Sequence, residues 1–305
     1  MIMDESRRLQ QLCHPTQPID VVLDTDTYNE IDDQFAVAYL LKSGHKLRTR
    51  ALYAAPFANE KAETAEEGME KSYHELLSIC RVMGRDDMLP LIFRGSRTYL
   101  PSEAAPVPSP AAEHLAQLAM EYTPENPLYV AALGAITNVA SAILLNPAIV
   151  DRIVIVWLGG NAWDWHNNYE FNLRQDVAAA RVVFGCGAAL VQLPCMGVVS
   201  GFTVSNVEMR HWLLGKNELA TYLAGAALRE MGADEESFCR SRVIWDVTVI
   251  AWLLNEGTVL DCLEHSPIPE YDHHYAFDRT RHLMRCAYHI DRDALLQKLV
   301  DTLTK

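Results

Sequence analysis

Residues 19–41 read IDVVLDTDTYNEIDDQFAVAYLL, and this stretch decides the fold. Residues 19–23 form an apolar run of the length of a buried strand, and residues 34–41 have the mostly apolar composition of a helix. Between and beside them stand four aspartates within ten positions: Asp24, Asp26, Asp32 and Asp33. The carboxyl end of a strand is where open α/β sheets bind ligands. The stretch therefore predicts an α/β fold with a ligand site on the loop between this strand and this helix.

The density of carboxylates in this loop favours a metal site. Like charges packed this closely cost free energy unless a cation is shared among them, and Ca²⁺ or Mg²⁺ prefers oxygen ligands. The alternative is a solvated acidic loop that caps the helix, with Asp32 and Asp33 favoured by its N-terminal dipole. Because capping explains one or two acids but not four, we expect a bound cation.

The rest of the chain alternates between strand-like and helix-like segments. Further strands are predicted at residues 47–55, 89–93, 128–133, 153–158, 190–194 and 284–290, and the longest helices at 60–83 and 205–231. This alternation predicts a single-domain α/β fold, a mostly parallel open sheet with helices on both faces. No internal repeat divides the chain, and the proline-rich residues 101–110 are the only weak candidate for a boundary. We expect an N-terminal extension, residues 1–18, followed by one domain, residues 19–305.

Composition excludes several classes of partner. The chain has 305 residues, half of them apolar, and a formal net charge of -14. A nucleic-acid backbone or an anionic membrane requires a basic surface, so neither is the expected partner. A small or neutral substrate suits this charge better.

The cysteines and the N-terminus indicate a cytoplasmic protein. The seven cysteines are scattered and form no CxxC pair, which indicates reduced thiols rather than a disulfide framework or a zinc site. Residues 1–18 contain no apolar segment typical of a signal peptide, and no run elsewhere reaches transmembrane length.

A second unusual loop, residues 159–172, reads GGNAWDWHNNYEFN after an apolar strand. Its amides and aromatic rings suit a polyhydroxylated ligand such as a sugar, although taken alone it could be an ordinary polar loop. Asn59, which follows the second strand, would face the same edge of the sheet.

Together these motifs resemble the nucleoside hydrolases, calcium-dependent enzymes that cleave the N-glycosidic bond of nucleosides. Asp24-Thr25-Asp26 and Asp32-Asp33 resemble the N-terminal signature, with residues 27–31 replacing a shorter Pro-Gly turn by two more residues. Residues 133–138, residues 159–172 with Asp176, and Trp245-Asp246 resemble three further segments in the same order. The Asp24-x-Asp26 motif is also similar to that of haloacid dehalogenase-type phosphatases, but the late paired-acid motif of that family is absent.

The resemblance implies a Ca²⁺ site and a catalytic base. Asp26, Asp33 and Asp246 would be carboxylate ligands, and Leu133 would contribute its backbone carbonyl. Asp26 would also take the proton from the attacking water, while Asp24 would support the cluster.

The resemblance also implies how ribose is held. Asp32 and Asn172 would bind the 2' and 3' hydroxyls, Glu170 would bind the 5' hydroxyl, and Asn59 would lie near the ribose. An asparagine usually assists that glutamate, and three are candidates here, of which we prefer the first: Asn168, Asn167 and Asn161.

Trp245 stands where many members of the family have a histidine, and purine-preferring members share this Trp-Asp pair. Stacking of Trp245 on a purine, with Trp163 or Trp165 on the opposite face, would raise the basicity of the leaving base. Two alternatives stay open: Trp245 is a packed core residue, or His166 is the acid.

The resemblance thus implies hydrolysis of a ribonucleoside, with purines preferred, by a homo-oligomer (dimer or tetramer). The alternative from another class is a catalytically impaired relative that binds ribose or a nucleoside without turnover.

Overall fold

The computed structural model describes residues 3–233 and 238–305. In this part of the chain the strands are β1 Ile19–Thr25, β2 Leu47–Ala54, β3 Ile92–Arg94, β4 Leu128–Ala132, β5 Ile153–Leu158, β6 Ala189–Leu193, β7 Thr203–Ser205, β8 Ser241–Val243, β9 Val259–His265, β10 Ile268–Pro269, β11 Tyr275–Ala276 and β12 Leu283–Ile290. The helices are α1 Glu5–Gln11, α2 Asp32–Lys42, α3 Ala65–Val82, α4 Pro110–Leu118, α5 Thr137–Leu145, α6 Phe171–Gln175, α7 Val177–Gly185, α8 Asn206–Trp212, α9 Glu218–Glu230, α10 Val247–Leu254 and α11 Arg292–Thr304.

The central sheet confirms the predicted fold class. Within the described residues it has eight strands in the order β3-β2-β1-β4-β5-β6-β12-β9, and neighbouring strands are parallel except β12 and β9. The chain runs outward from β1 to β2 and β3 on one side, and from β4 to β5 and β6 on the other. This change of direction beside β1 opens a crevice at the carboxyl ends of β1 and β4, where ligands of such sheets bind.

Both faces of the sheet are covered by helices. Successive residues of β1 point to opposite faces, so Val21 and Leu23 belong to one apolar core and Val22 belongs to the other. Helices α2, α10 and α11 pack on the first face, and α4, α5 and α7 pack on the second. Strands β4, β5 and β6 are buried along their whole length, as expected of central strands in a parallel sheet.

Two predicted helices differ from the observed ones for local reasons. The helix predicted over residues 205–231 is two helices, α8 and α9, because Gly215 adopts a left-handed conformation (φ +77) and Asn217 caps α9. Ser205 caps α8 in a capping box with Glu208, as predicted for this position. The helix predicted from residue 60 begins at Ala65, since the Thr64 side chain accepts the hydrogen bond of its first turn.

The predicted strands differ from the observed ones at the two edges of the sheet. The strand predicted at residues 89–93 corresponds to β3, which begins later, at Ile92, because the preceding residues form a 3₁₀ turn, Asp86–Leu91, that contains Pro90. Strand β9 was not predicted, since as an edge strand it carries charged residues in place of a continuous apolar run.

The N-terminal residues pack against the sheet domain. Leu12 is fully buried, and the Gln11 amide donates to the carbonyl oxygens of Pro124 at 2.9 Å and Asp151 at 2.8 Å. The division at residue 18 stays a prediction. Among residues 3–233 and 238–305, none of the helices combines the length and apolar composition that a membrane span requires.

Candidate active site

The acidic segment lies at the crevice beside β1, but it is not all loop. Asp24 belongs to β1, Asp26 follows that strand directly, and Asp32 and Asp33 form the first turn of α2. The predicted helix therefore starts two residues too late, and the two later aspartates lie at a helix N-terminus, where negative charge is favoured. Asp246 is the residue directly before α10.

A group of three buried carboxylates forms the centre of the site. Oxygen atoms of Asp32, Asp33 and Asp246 all lie within 4.8 Å of one another. In the described part of the chain this group does not extend to Asp26, although Asp26 lines the same cavity. The structure thus brings Asp33 and Asp246 together as predicted, and it adds Asp32, which was predicted to bind the sugar.

Burial and mutual repulsion make these carboxylates hard to ionise without a cation. Burial raises the pKa of Asp24 to about 7 and, together with the Glu30 charge, raises the pKa of Asp32 to about 7. Burial and then the neighbouring carboxylates raise the pKa values of Asp33 and Asp246 well above the ordinary range.

Several oxygens of the cluster have no hydrogen-bond partner. Asp24 Oδ2, Asp26 Oδ2 and Asp32 Oδ1 are buried and accept no hydrogen bond among the described residues, although the Arg242 guanidinium lies 3.8 Å from Asp32 Oδ1. Leaving such groups unsatisfied is costly, and a hard divalent cation with oxygen ligands would satisfy them. The donor set present, all oxygen, therefore fits a divalent metal ion.

Other polar groups hold the cluster in place. The Asn138 amide donates to Asp24 Oδ1 at 2.7 Å, and the Thr25 hydroxyl donates to Asp33. The backbone N–H of Trp245 donates to Asp32 Oδ2 at 2.9 Å. These bonds orient the carboxylates without neutralising them.

The cluster forms the floor of a cavity of about 230 Å³. Carboxylates, amides and aromatic rings line it: Asp26, Asn29, Glu30, Asp32, Asp33, Leu133, Leu158, Asn161, Tyr169, Glu170, Phe171, Asn172, Cys195, Met196, Trp245 and Asp246.

Glu170 and Asn172 line the cavity as predicted. The Glu170 carboxylate caps α6 and accepts hydrogen bonds from the backbone N–H groups of Gly160 at 2.8 Å, Asn172 at 2.9 Å and Leu173 at 2.9 Å. The Asn172 amide donates to the carbonyl oxygen of Leu133 at 2.6 Å. The Leu133 carbonyl is therefore at the cavity, and its second lone pair remains available.

The two other predicted asparagines lie behind the cavity wall. Asn168 is buried, and its Oδ1 accepts the backbone N–H of Asn161 at 2.8 Å, so Asn161 lines the cavity and Asn168 supports it. The Asn59 amide donates to Asn29 Oδ1 at 2.7 Å. The turn of residues 27–31 thus places Asn29 between Asn59 and the cavity.

Trp245 lines the cavity, whereas the other predicted aromatic partners do not. The Trp163 indole donates to Gln192 Oε1 at 2.9 Å and packs near Phe277, and Trp165 and His166 are also absent from the lining. Tyr169 and Phe171 are the aromatic residues that join Trp245 there.

The lining residues that were not singled out from the sequence include Asn29, Glu30, Cys195 and Met196. The first two belong to the long turn, whose unusual length was the available signal. Cys195 and Met196 follow β6 without a distinctive motif. Burial, followed by the charge of Glu170, raises the pKa of the Cys195 thiol, which therefore stays protonated.

Comparison with known proteins identifies relatives. Residues 21–297 match the family model described as inosine-uridine preferring nucleoside hydrolase. None of the curated protein sequences compared with the chain matches it significantly.

Solved structures share the fold. A plant nucleoside hydrolase superposes with a TM-score of 0.75 at 19% identity, over 94% of this chain and 99% of its own. A purine-preferring ribonucleoside hydrolase from Gardnerella vaginalis gives 0.75 at 18%, over 93% and 98%. An inosine-uridine preferring nucleoside hydrolase from Bacillus anthracis gives 0.70 at 15%, over 94% and 99%.

Proposed function

The chain belongs to the inosine-uridine preferring nucleoside hydrolase family and cleaves N-glycosidic bonds, and we propose that its substrates are ribonucleosides, purines preferred, cleaved to ribose and free base. One observation carries the assignment of the site: buried, unpartnered carboxylate oxygens form the floor of a cavity whose wall contains Glu170, Asn172 and Trp245. The family match replaces the phosphatase alternative, since it covers the same N-terminal aspartates.

We propose Ca²⁺ as the ion, held by Asp26, Asp33, Asp246 and the Leu133 carbonyl, with Asp32 beside them. The proximity of Asp33 and Asp246 and the unpartnered Asp26 Oδ2 support this set. Oxygen donors without nitrogen or sulfur favour a hard cation. When bound, such an ion supplies Lewis acidity toward water and hydroxyl oxygens.

Asp26 is the proposed catalytic base. It follows β1 directly, lines the cavity, and has a buried Oδ2 free to accept a proton from the attacking water. Burial and then the charge of Asp33 raise the pKa of Asp26, so the ionised carboxylate has a high proton affinity.

The sugar is proposed to lie across the cavity floor. Asp32 and Asn172 bind the 2' and 3' hydroxyls, and Glu170 binds the 5' hydroxyl with Asn161, which Asn168 supports from behind. The surrounding negative charge stabilises the ribosyl cation that develops as the bond to the base breaks. Asn59 acts through Asn29 rather than on the ribose.

Trp245 is proposed to stack on the base. Among the described residues, no histidine lines the cavity, and we propose that the base leaves without a histidine acid. Stacking on an indole ring raises the basicity of a purine, which then takes its proton from solvent.

Sugar release from nucleosides tests this function. Calcium is titrated into chelator-treated protein, and release of reducing sugar is measured for inosine, guanosine, adenosine, uridine and cytidine. We expect calcium-dependent release, fastest from purines, and no release by the Asp26→Asn variant. Tight nucleoside binding without any release by the unaltered protein would instead support the catalytically impaired relative.

Two further features of the protein are proposals. All seven cysteines are free, which suits a cytoplasmic protein.

Exposed apolar side chains on and after α8, including Val207, Trp212 and Leu214, suit burial in a homo-oligomer, a dimer or tetramer. Light scattering coupled to size-exclusion chromatography measures the oligomeric state.

A further inference from the structure

The long turn of residues 27–31 adds the carboxylate of Glu30 to the cavity wall, which also contains Glu170, outside the proposed metal cluster. Glu30 lines the cavity, yet its side chain is 49% exposed, unlike the buried aspartates beside it. A charge at this position is not required to complete the cluster, because Asp32, Asp33 and Asp246 already lie together. The position of Glu30 therefore indicates a role other than completing the cluster.

Arg242 fixes the position of Glu30. The Arg242 guanidinium lies 2.8 Å from Glu30 Oε2 and 2.5 Å from Glu230 Oε2, and its own side chain is only 15% exposed. It also lies 3.8 Å from Asp32 Oδ1. Because an arginine held by two glutamates has little freedom, Glu30 is held in a defined orientation. The ion pair uses Oε2, which leaves Oε1 able to accept another hydrogen bond.

The order of the strands in the sheet places Glu30 and Glu170 at opposite ends of the cavity. Glu30 and Asp32 follow β1, whereas Glu170 is bonded to Gly160, which follows β5. Strand β4 lies between β1 and β5, so the two ends are separated by two strand spacings, about 10 Å.

The end that holds Glu30 is also the end of Trp245. Arg242 precedes Trp245 by three positions, and the Trp245 backbone N–H donates to Asp32 at 2.9 Å. With the 5' hydroxyl at Glu170, the base lies toward Trp245 and Glu30.

We propose that Glu30 is a specificity residue, whose Oε1 accepts a hydrogen bond from a ring N–H or an amino group of the base, and that Arg242 is the positioning residue that aims it. This inference rests on the proposed nucleoside hydrolysis. A base that lacks such a donor would lie against the Glu30 carboxylate without a hydrogen bond. Glu30 would therefore favour nucleosides whose base carries a donor over those whose base does not.

Two substrates measure the effect in Glu30→Ala. One is whichever of inosine, guanosine and adenosine the unaltered enzyme cleaves best, all of which carry a donor on the base. The other is purine ribonucleoside, which carries none. We expect the ratio of their kcat/KM values to fall about 10- to 100-fold, the size of a hydrogen bond to a charged group, because only the donor-bearing substrate loses a contact.

Variants of Arg242 test the positioning role. Arg242→Met should lower the same ratio, Arg242→Lys should restore part of it, and the double variant Arg242→Met/Glu30→Ala should show no larger loss of the ratio than Glu30→Ala alone. A purely structural role of Arg242 would lower both kcat/KM values together and leave the ratio unchanged.

Glu230→Gln is the matched control, since Glu230 does not line the active-site cavity and a glutamine oxygen can still accept the Arg242 hydrogen bond that helps hold the guanidinium. Its ratio should stay within about twofold of the unaltered enzyme. An unchanged ratio in Glu30→Ala, or an equal loss on both substrates, overturns the inference while hydrolysis by the unaltered enzyme stands. If the unaltered enzyme cleaves no nucleoside at all, the proposed function fails instead.

Discussion

Two buried acidic sites of this protein are satisfied in opposite ways. The side chain of Asp261 on β9 is 1% exposed, and three donors surround it: the imidazole of His14 at 3.0 Å, the indole of Trp252 at 2.6 Å, and the guanidinium of Arg285. Although burial acts to raise its pKa, these donors lower the pKa of Asp261 below the ordinary value. Asp32, Asp33 and Asp246 are buried as whole residues, and burial together with repulsion from neighbouring carboxylates raises their pKa values.

The difference shows what distinguishes a structural carboxylate from a functional one. The chain supplies a cation of its own where Asp261 contributes to stability. At the cluster the described residues offer only Arg242, 3.8 Å from one oxygen of Asp32. Unmet charge, rather than burial or acidity, therefore marks the site.

Asp26→Asn should give the largest effect. Loss of the base lowers kcat/KM for inosine by about 10³-fold or more, while the thermal midpoint of the ion-free protein stays the same or rises because one repulsive charge is removed. Asp261→Asn serves as the comparison, with activity expected within about twofold of the unaltered enzyme. Near-normal rates in Asp26→Asn would remove it as the base.

Chelation of the ion should separate the two sites next. Removing Ca²⁺ at pH 8 should abolish sugar release and lower stability by about 3 kcal/mol relative to protein with calcium at about 100 times its Kd. The same shift is expected in Asp261→Asn, since that carboxylate binds no ion. Differential scanning calorimetry measures both, and a shift that depends on Asp261 would contradict the comparison.

Asp261→Ala should then reduce stability without affecting turnover. It leaves Arg285 and the Trp252 indole without their buried partner, which costs about 3 kcal/mol of unfolding free energy. Urea denaturation measures this cost, and active-site titration corrects the rate for folded protein. A loss of kcat per folded molecule would show that the two sites are linked.

The two tryptophans next to these acids provide a smaller contrast. Trp245→Ala should lower kcat for purine nucleosides about tenfold more than for p-nitrophenyl riboside, whose leaving group needs no protonation. Trp252→Phe should cost about 1 kcal/mol of stability, through its lost hydrogen bond, with kcat unchanged. Equal losses on both substrates in Trp245→Ala would assign Trp245 to packing.

The smallest test concerns the sign of a pH dependence. The folded-state pKa of Asp261 is lowered, so its contribution is present above the unfolded-state pKa near 4 and is lost as pH falls through the folded value. The stability gap between the unaltered protein and Asp261→Asn should therefore close in acid. In ion-free protein Asp32→Asn should behave oppositely. Because the folded-state pKa of Asp32 is raised, to about 7, the unaltered protein should lose stability relative to Asp32→Asn as pH rises from about 4 to 7. The comparison is contradicted if, in both variants, the stability difference from the unaltered protein changes with pH in the same direction.

The sequence predicted what depends on local pattern. Strand β1, the acids that follow it, and Glu170 and Asn172 after β5 could be placed because strand ends of a parallel sheet share one edge. Contacts between distant segments could not be predicted. That Asn29 displaces Asn59, and that Asn161 rather than Asn168 reaches the cavity, depends on side-chain orientation within loops.

The surroundings of Asp261 could not be predicted from the sequence either. Asp261 lies on an edge strand that the apolar pattern did not reveal, and its partners His14 and Arg285 come from opposite ends of the chain. Nothing local in the sequence distinguishes this aspartate from a solvated one.

The placement of Asp32 and Asp33 on the first turn of α2 has a consequence for how such enzymes diversify. Because the strand end fixes Asp26 and the helix start fixes the other two, the turn between them can change in length without moving the carboxylates of the proposed metal site. Under the proposed role of Glu30, insertion at residues 27–31 would alter the groups presented to the base while hydrolysis is retained. The turn is thus a position at which evolution or an engineer can exchange substrate preference independently of the reaction.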